Sequence, residues 1–556
     1  MATPKKSNWV ADFETTTDPN DCRVWGWGFT NIESTESLDD VEIGTDMKSF
    51  IHRVSEMSAN VYFHNLAFDG SFILDWLLRE GYKYTANDVV RKGEFTTLIS
   101  NMGAYYSIAV HWENGRKTEF RDSLKKLPMP LERVAKAFKL PVLKGEIDYT
   151  APRPLGHVIT EAEEEYIRID VFVIARALKT QFDQGMTKLT VGADSLAEYK
   201  RVFGPRLFQK FFPVLNETMD YEIRSAYRGG FTIADERFRK KLTRGGIVYD
   251  VNSLYPSVMY DRILPFGEPE YVESLPVASE EFPLFLVSIT FTAKLKPNHI
   301  PCIQVKGSSH FVSTEYQKNI TEPVTLMCTN VDLALWEEHY DMDILTYNGG
   351  WLFRGDSGFF TEFIDKWMKV KQENTGGLRE LAKLQLNSLY GKYATNPNVT
   401  GKFPVMEDNV VKLKLGPEET RNPVYTAMGV FITAYARDVT IRAAQQHYDV
   451  FAYADTDSLH LLVDDDPETL DIHPDKLGAW KREYRFSQGM FLRAKQYAEL
   501  KENGEYEVHI AGLPRTIAKQ ITFDDLMHEK RFEGKLQPKR VPGGIVLEDV
   551  GFTLKL

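Results

Sequence analysis

Along the first 190 residues the apolar and polar positions change period several times. WVADFET, NVYFHNLAF and TTLISNM cluster as strands do, whereas EEEYIRIDVFVIARALKTQF has the spacing of a largely buried helix. This alternation predicts an α/β layout. Thr160 and Glu163 in TEAE predict a capping box opening that helix. Tyr166 and Asp170, four apart, share one of its faces. GADSLAEYK (192–200) reads as a junction, and residues 245–305, rich in Pro, Gly and aromatics, read as strands and turns. Residues 358–394 predict two helices broken at NTGG (374–377). In 396–427, KFPVM and VVKLKL can pair across EDN, which predicts a protruding hairpin with few core contacts. VPGGIVLEDVGFTLKL, at the end, reads as another hairpin, and FAYADTDSLHLLV as a half-buried strand or hairpin with two aspartates at its centre.

A length of 556 residues corresponds to three or four domains, and 43% apolar content supplies several cores. No apolar run reaches the length of a membrane span, and MATPKKSNWVADFE has no apolar signal-peptide core. Cys22, Cys302 and Cys328 form neither a disulfide framework nor a CxxC zinc motif, so a reducing compartment is the simplest setting. The net charge of −12 argues against a nucleic-acid binder when taken alone. Basic clusters at 122–128, 136–145, 237–246, 366–371, 481–495 and 530–540 change that picture. A solvated helix face explains any one of them. Interleaved with aromatics, they predict a basic, aromatic groove on an acidic body.

Asp12 and Glu14, two apart on a strand, project from one face about 6.5 Å apart. FHNLAFDG supplies Asn65, Phe68 and Asp69, and the helix after Thr160 supplies Tyr166 and Asp170. Four carboxylates around two divalent ions can deprotonate a water and stabilise the leaving oxygen of a phosphodiester, with Tyr166 orienting the water. Each motif alone is equally well a surface acid.

A second acidic set combines Asp250 in VYDVNSLYPSVM with Asp455 and Asp457 in YADTDS. Bare carboxylates about 4 Å apart repel by roughly 4 kcal/mol at an effective dielectric of 20, so a counter-charge is required. Arg379, Lys383, Asn387 and Tyr390 fall on one helix face, a stripe suited to an anionic, planar ligand such as a nucleoside triphosphate. No GxxxxGK[ST] is present, so a P-loop is not the phosphate site. DxD alone also occurs in haloacid-type phosphatases and glycosyltransferases, and a calcium loop would need more ligands at fixed spacing. Pro256 biases Tyr255 toward an extended backbone.

In their order, the three N-terminal motifs resemble the 3′–5′ exonuclease domain of proofreading DNA polymerases, and DxxSLYP, KxxxNSLYG and YxDTDS resemble family B polymerase motifs. YRGGF (227–231), FITAYAR (431–437) and KQY (495–497) resemble the protein-primed branch of small bacteriophages with linear genomes. The resemblance implies an α/β and α+β multidomain chain: an RNase H-like exonuclease domain and a right-hand polymerase domain with two insertions. It implies exonuclease at 1–190, palm at 191–260 and 428–510, terminal-protein-region insertions at 261–358 and 395–427, fingers at 359–394 and thumb at 511–556.

The same resemblance implies two Mg2+ ions per active site, replaceable by Mn2+. Asp12, Glu14, Asp69 and Asp170 would hold one pair, and Asp250, Asp457 and the Val251 carbonyl the other, with Asp455 catalytic. Tyr255, Lys371, Lys383, Asn387 and Tyr390 would meet the nucleotide, Tyr255 excluding a 2′-hydroxyl. Thr15, His64, Asn65, Phe68, Ser123 and Leu124 would hold a frayed primer end, and Lys144 matches the family's supporting lysine at this DNA-binding site. Tyr227, Gly229 and Gly230 would meet the template, Lys495 and Tyr497 the primer, and Arg437 would also contact DNA. Implied partners are primer–template DNA, dNTPs, a terminal protein supplying the priming hydroxyl and a single-stranded-DNA-binding protein. The implied setting is a monomer in the cytoplasm of an infected bacterial host. A DNA-primed family B enzyme and a non-catalytic replication scaffold remain as alternatives.

Overall fold

The computed structural model describes residues 6–87, 89–140, 147–306, 312, 315–528 and 530–553. The predicted change of period in the N-terminal region produces an eight-stranded mixed sheet. Its centre is Ser7–Thr15 beside Ala59–Phe63 and then Lys117–Asp122, both pairings parallel. Val24–Asn31 runs antiparallel on the other side of Ser7–Thr15. Helices Leu66–Arg79 and Glu161–Asp183 pack on this sheet. The latter opens with the Thr160–Glu163 capping box and buries Ile167, Val171 and Ile174.

A second, seven-stranded antiparallel sheet forms the centre of the molecule. Leu242–Val251 lies between Trp480–Arg493 and Ser458–Leu461, and Phe451–Asp455 follows. YADTDS is the hairpin of the last two strands, turning at Thr456 and Asp457. The expectation of a half-buried hairpin falls short: Phe451–Ala454 and Leu459–Leu461 are buried on both faces. The helix Thr426–Gln446 packs against these strands and hides one side. A four-stranded sheet, Leu264–Val272, Tyr340–Asp356, Leu284–Leu295 and Asn319–Thr329 in spatial order, is built from the interval 261–358.

Other expectations meet corrections. GADSLAEYK is no linker but part of the Val191–Phe203 helix, capped by Thr190. Tyr255 is helical, in Leu254–Asp261, because Pro256 falls in the first turn, where its missing N–H would have no partner in any case. Thr361–Glu373 and Gly377–Tyr393 form as read, broken at NTGG. In the last hairpin Pro542–Gly543 is the turn, so Leu536–Val541, in the basic stretch before it, pairs with Gly544–Asp549.

The hairpin Asn398–Glu407/Val410–Thr420 also forms, turning at Asp408 and Asn409, both at positive φ. It does not protrude free of the core. Val411 is 2% exposed within the N-terminal core, and Phe403 stacks on Tyr84 with centroids 5.4 Å apart. Arg79 donates to Asn409 Oδ1 at 2.6 Å and to its carbonyl at 2.9 Å, while Asp75 binds Arg79 and accepts the Gly543 N–H. The hairpin tip is therefore docked on the Leu66–Arg79 helix, beside the C-terminal hairpin.

Candidate active sites

The central strand Ser7–Thr15 and the helix Glu161–Asp183 bring the first carboxylates together. Oxygen atoms of Asp12, Glu14 and Asp170 lie within 4.8 Å of one another, although Asp170 is on a helix more than 150 residues later. Three oxygen donors converging on one point fit a hard divalent cation. Asp69 is not in that trio. It is 3% exposed, accepts the Phe13 N–H at 3.3 Å and sits near Asp122. Burial, with a smaller contribution from the Asp122 charge, pushes its pKa up to about 8. Burial and the adjacent Asp170 raise the Tyr166 hydroxyl well above its ordinary value. Tyr149, which sequence reading missed, meets the Tyr166 hydroxyl at 2.5 Å.

Around this trio Thr15, Phe68 and Leu124 are half-buried and Asn65 is exposed. Ser123 is fully buried, and its hydroxyl meets the Phe63 carbonyl and His64 Nδ1. It fixes the His64 ring, whose Nε2 meets the Met129 carbonyl. Asp122, also missed, anchors the backbone N–H groups of Asn65 and Leu124. Lys144 lies outside the described residues.

The second centre is set by register. Asp250 and Asp455 both pair with Ser458, one from each side. Thr456 holds φ 61° in the tight turn, and Val251 N–H donates to the Asp457 carbonyl at 2.9 Å. The Gly230 residue explains how the turn is backed: a Cβ there would lie 2.5 Å from Thr456 Oγ1. Gly229 has open space instead.

A cavity of about 430 Å³ is lined by Asp250, Val251 and Asp457 and by all five side chains assigned to the nucleotide: Tyr255, Lys371, Lys383, Asn387 and Tyr390. Tyr255 and Tyr390 stack face to face, centroids 3.8 Å apart, and form one wall. Lys383 pairs with Glu380, and burial, with Arg379 and Lys383 nearby, lowers the Lys371 pKa. Arg379 shares the helix face but donates to the Lys371 carbonyl, so it braces the neighbouring helix. Lys481 and Glu483, missed as site residues, also line it.

The three aspartates do not share one role. Asp455 is absent from the cavity wall; Lys495 Nζ binds it at 2.6 Å and Thr232 donates to it at 3.0 Å. The counter-charge demanded by the sequence is thus partly a lysine. Asp250 has a buried Oδ1 with no hydrogen-bond partner, and burial, Asp457 and Glu483 push its pKa up to about 7. Burial, joined by Asp455, also raises Asp457. An orphaned buried carboxylate oxygen beside a second acid fits a divalent ion in this cavity.

Two of the residues assigned to DNA are held by the protein itself. Arg437 is 4% exposed, with all five N–H donors engaged by Asp332 and the carbonyls of Arg228 and Gly229. It shapes the YRGGF segment from behind. Tyr497 is buried, stacked on His509 and packed on Tyr453. Tyr227 is half-buried near Tyr390. Lys495 borders a second cavity, of about 970 Å³, with Arg237, Arg239, Lys318, Arg493 and Lys535. Three of the six basic clusters thus face one opening.

An acidic nucleotide-sized cavity on an antiparallel sheet, beside a separate sheet bearing a three-carboxylate point, fits the class of nucleotidyl-transfer enzymes. Residues 51–472 match the family model for DNA polymerase type B, organellar and viral, and the chain belongs to that family as a DNA-directed DNA polymerase. It is 45% identical to the DNA polymerase of Bacillus phage M2, covering 98% of this chain and 99% of that one. It is 32% identical to that of Streptococcus phage Cp-1 over 98% of each. The fold superposes with a TM-score of 0.94 on phi29 DNA polymerase complexed with primer-template DNA and incoming nucleotides, at 43% identity, covering 99% of this chain and all of that one. The resemblance to protein-primed phage polymerases therefore holds over the whole chain. No helix among the described residues is long and apolar enough to cross a membrane.

Proposed function

We propose that this polymerase copies a linear phage genome from a priming hydroxyl on a terminal protein, displaces the opposite strand and removes mismatched ends at its own 3′–5′ exonuclease centre. The observation that carries the reading is the single cavity holding Asp250, Asp457 and every nucleotide-directed side chain, separate from the Asp12, Glu14 and Asp170 point. Asp250, Asp457 and the Val251 carbonyl would hold magnesium for transfer, and Asp12, Glu14 and Asp170 would hold it for hydrolysis, with Asp69 completing that set. Bound magnesium supplies charge stabilisation of the phosphoryl oxygens. Lys371 and Lys383 meet the triphosphate, Tyr255 closes the space beside C2′, and Asn387 and Tyr390 face the nascent pair. Thr15, His64, Asn65, Phe68 and Leu124 receive the frayed end, positioned by Ser123, and Tyr166 orients the attacking water. The 970 Å³ basic opening suits primer–template duplex, with Lys495 passing from Asp455 to the primer.

The related phi29 polymerase has been solved with primer-template DNA and incoming nucleotides, which supports the same ligands here. The domain spans 1–190, 191–260, 261–358, 359–394, 395–427, 428–510 and 511–556 are retained as the working division. The expected setting is a monomer in the cytoplasm of an infected bacterium, with single-stranded-DNA-binding protein at the displaced strand. The test is incubation with a candidate terminal protein, magnesium and one labelled dNTP. Label covalently attached to protein supports protein priming. Extension of primed DNA with no label on protein, across candidates and dNTPs, would leave a DNA-primed enzyme.

A further inference from the structure

The nucleotide cavity has a cation that the functional reading leaves without a task. Lys481 stands directly opposite Asp250 in the register of the two paired strands, so the two side chains leave the sheet on the same face. Both line the cavity with Lys371 and Lys383. The Lys481 ammonium is held at 2.7 Å by Glu483, two residues along its own strand. Its side chain is 42% exposed and that of Glu483 36%, a pair that contributes little to folding. A lysine kept at the mouth of an acidic metal pocket by a weak, exposed partner is free to change partners when a stronger anion arrives.

The chemistry of the cavity supplies such an anion. In transfer the primer 3′-oxygen, having given up its proton to solvent, bonds the α-phosphorus. The oxygen bridging the α- and β-phosphates leaves with the bonding electron pair as pyrophosphate. Negative charge therefore accumulates at the phosphate tail while the metal-side carboxylates keep theirs. Lys371 and Lys383 approach that tail from the two helices at 361–373 and 377–393. Lys481 comes from the sheet side, where the bare ammonium is the compact point charge suited to phosphate.

We propose that Lys481 is the third cation of the polyphosphate site: it leaves Glu483 to bind the β- and γ-phosphates of the incoming nucleotide, and then the departing pyrophosphate. The inference rests on the polymerase cavity assigned above and adds to it a residue that binds the leaving group.

The test uses full-length enzyme with Asp12→Ala and Glu14→Ala to silence hydrolysis, on primed DNA with magnesium. Lys481→Ala should raise the KM for dNTP and the KM for pyrophosphate in the reverse reaction each by about tenfold. The primer–template Kd should stay within about twofold, and Lys481→Arg should recover most of both losses. Unmoved KM values for dNTP and pyrophosphate would overturn the inference, as would a rise in the DNA Kd with no change in the pyrophosphate KM. If the Lys481 parent fails to extend primed DNA at all, it is the polymerase cavity assignment that falls, and the two failures are thereby distinguished.

Discussion

The two acidic centres are built on opposite plans. In the N-terminal one, three carboxylates from two distant segments already meet within 4.8 Å, and the fourth acid, Asp69, is turned to the backbone at Phe13. In the central one, two aspartates face a cavity while the third, Asp455, is occupied by Lys495 and Thr232. The first is a compact convergence of carboxylate oxygens. The second is an open cleft in which only Asp455 is paired with a lysine, while Asp250 keeps a buried oxygen without a hydrogen bond. On the proposed reading the first would be a hydrolytic site acting on whatever end reaches it, and the second a transfer site that its substrate completes.

If the plans are separate, damage should stay on its own side. The largest expected effect is at Arg437. Removing one partner of a buried pair costs about 3–5 kcal/mol, and Arg437→Ala also frees the Gly229 and Gly230 segment that backs the Thr456 turn. Extension should collapse at temperatures where degradation of single-stranded primer by the same sample persists. Thermal melting together with both activities, followed across temperature, checks this.

Tyr255→Val opens the wall formed with Tyr390, and should raise ribonucleotide incorporation relative to dNTP by about ten- to a hundredfold. Competition between a ribonucleotide and its deoxynucleotide reads the ratio; an unchanged ratio removes Tyr255 from sugar selection. The exonuclease on single-stranded primer should not respond.

Glu163→Gln works on the other side. Burial opposes ionisation of Glu163, but hydrogen bonds from Thr160, His157 and Arg153 overcome it and hold the carboxyl at about 2, below its usual 4.5. A depressed folded-state pKa contributes stability that is present above pH 4.5 and is lost as pH falls toward 2. The variant should lose about 1–3 kcal/mol near neutral pH and approach wild type in acid. Degradation should fall more than extension, because the helix it opens carries Tyr166 and Asp170. Melting against pH, with both activities, measures it.

Arg79→Ala gives the smallest effect. It unpins the hairpin tip at Asn409, and product length per binding event under a DNA trap should fall about two- to threefold with single-nucleotide addition unchanged.

Local spacing made much of this visible. The Tyr166 and Asp170 face, the stripe from Lys383 to Tyr390 and the Asp12 and Glu14 pair follow from helix and strand periods. What spacing could not show was partnership across the chain. Arg437 is paired with Asp332, 105 residues away. The 396–427 segment looked free because its anchors belong to a helix at 66–79. Lys481 lay within a basic run, and only strand register placed it opposite Asp250. Nor did spacing show that Ser123 and Tyr497 are buried.

The most direct test measures extension and single-strand degradation on one labelled primer in two folded variants. Asp457→Asn, which puts a weak amide ligand in place of a carboxylate, should abolish extension and keep degradation. Asp12→Ala with Glu14→Ala should keep extension and abolish degradation. Loss of both activities in either variant, with an unchanged melting curve, would contradict two separate centres.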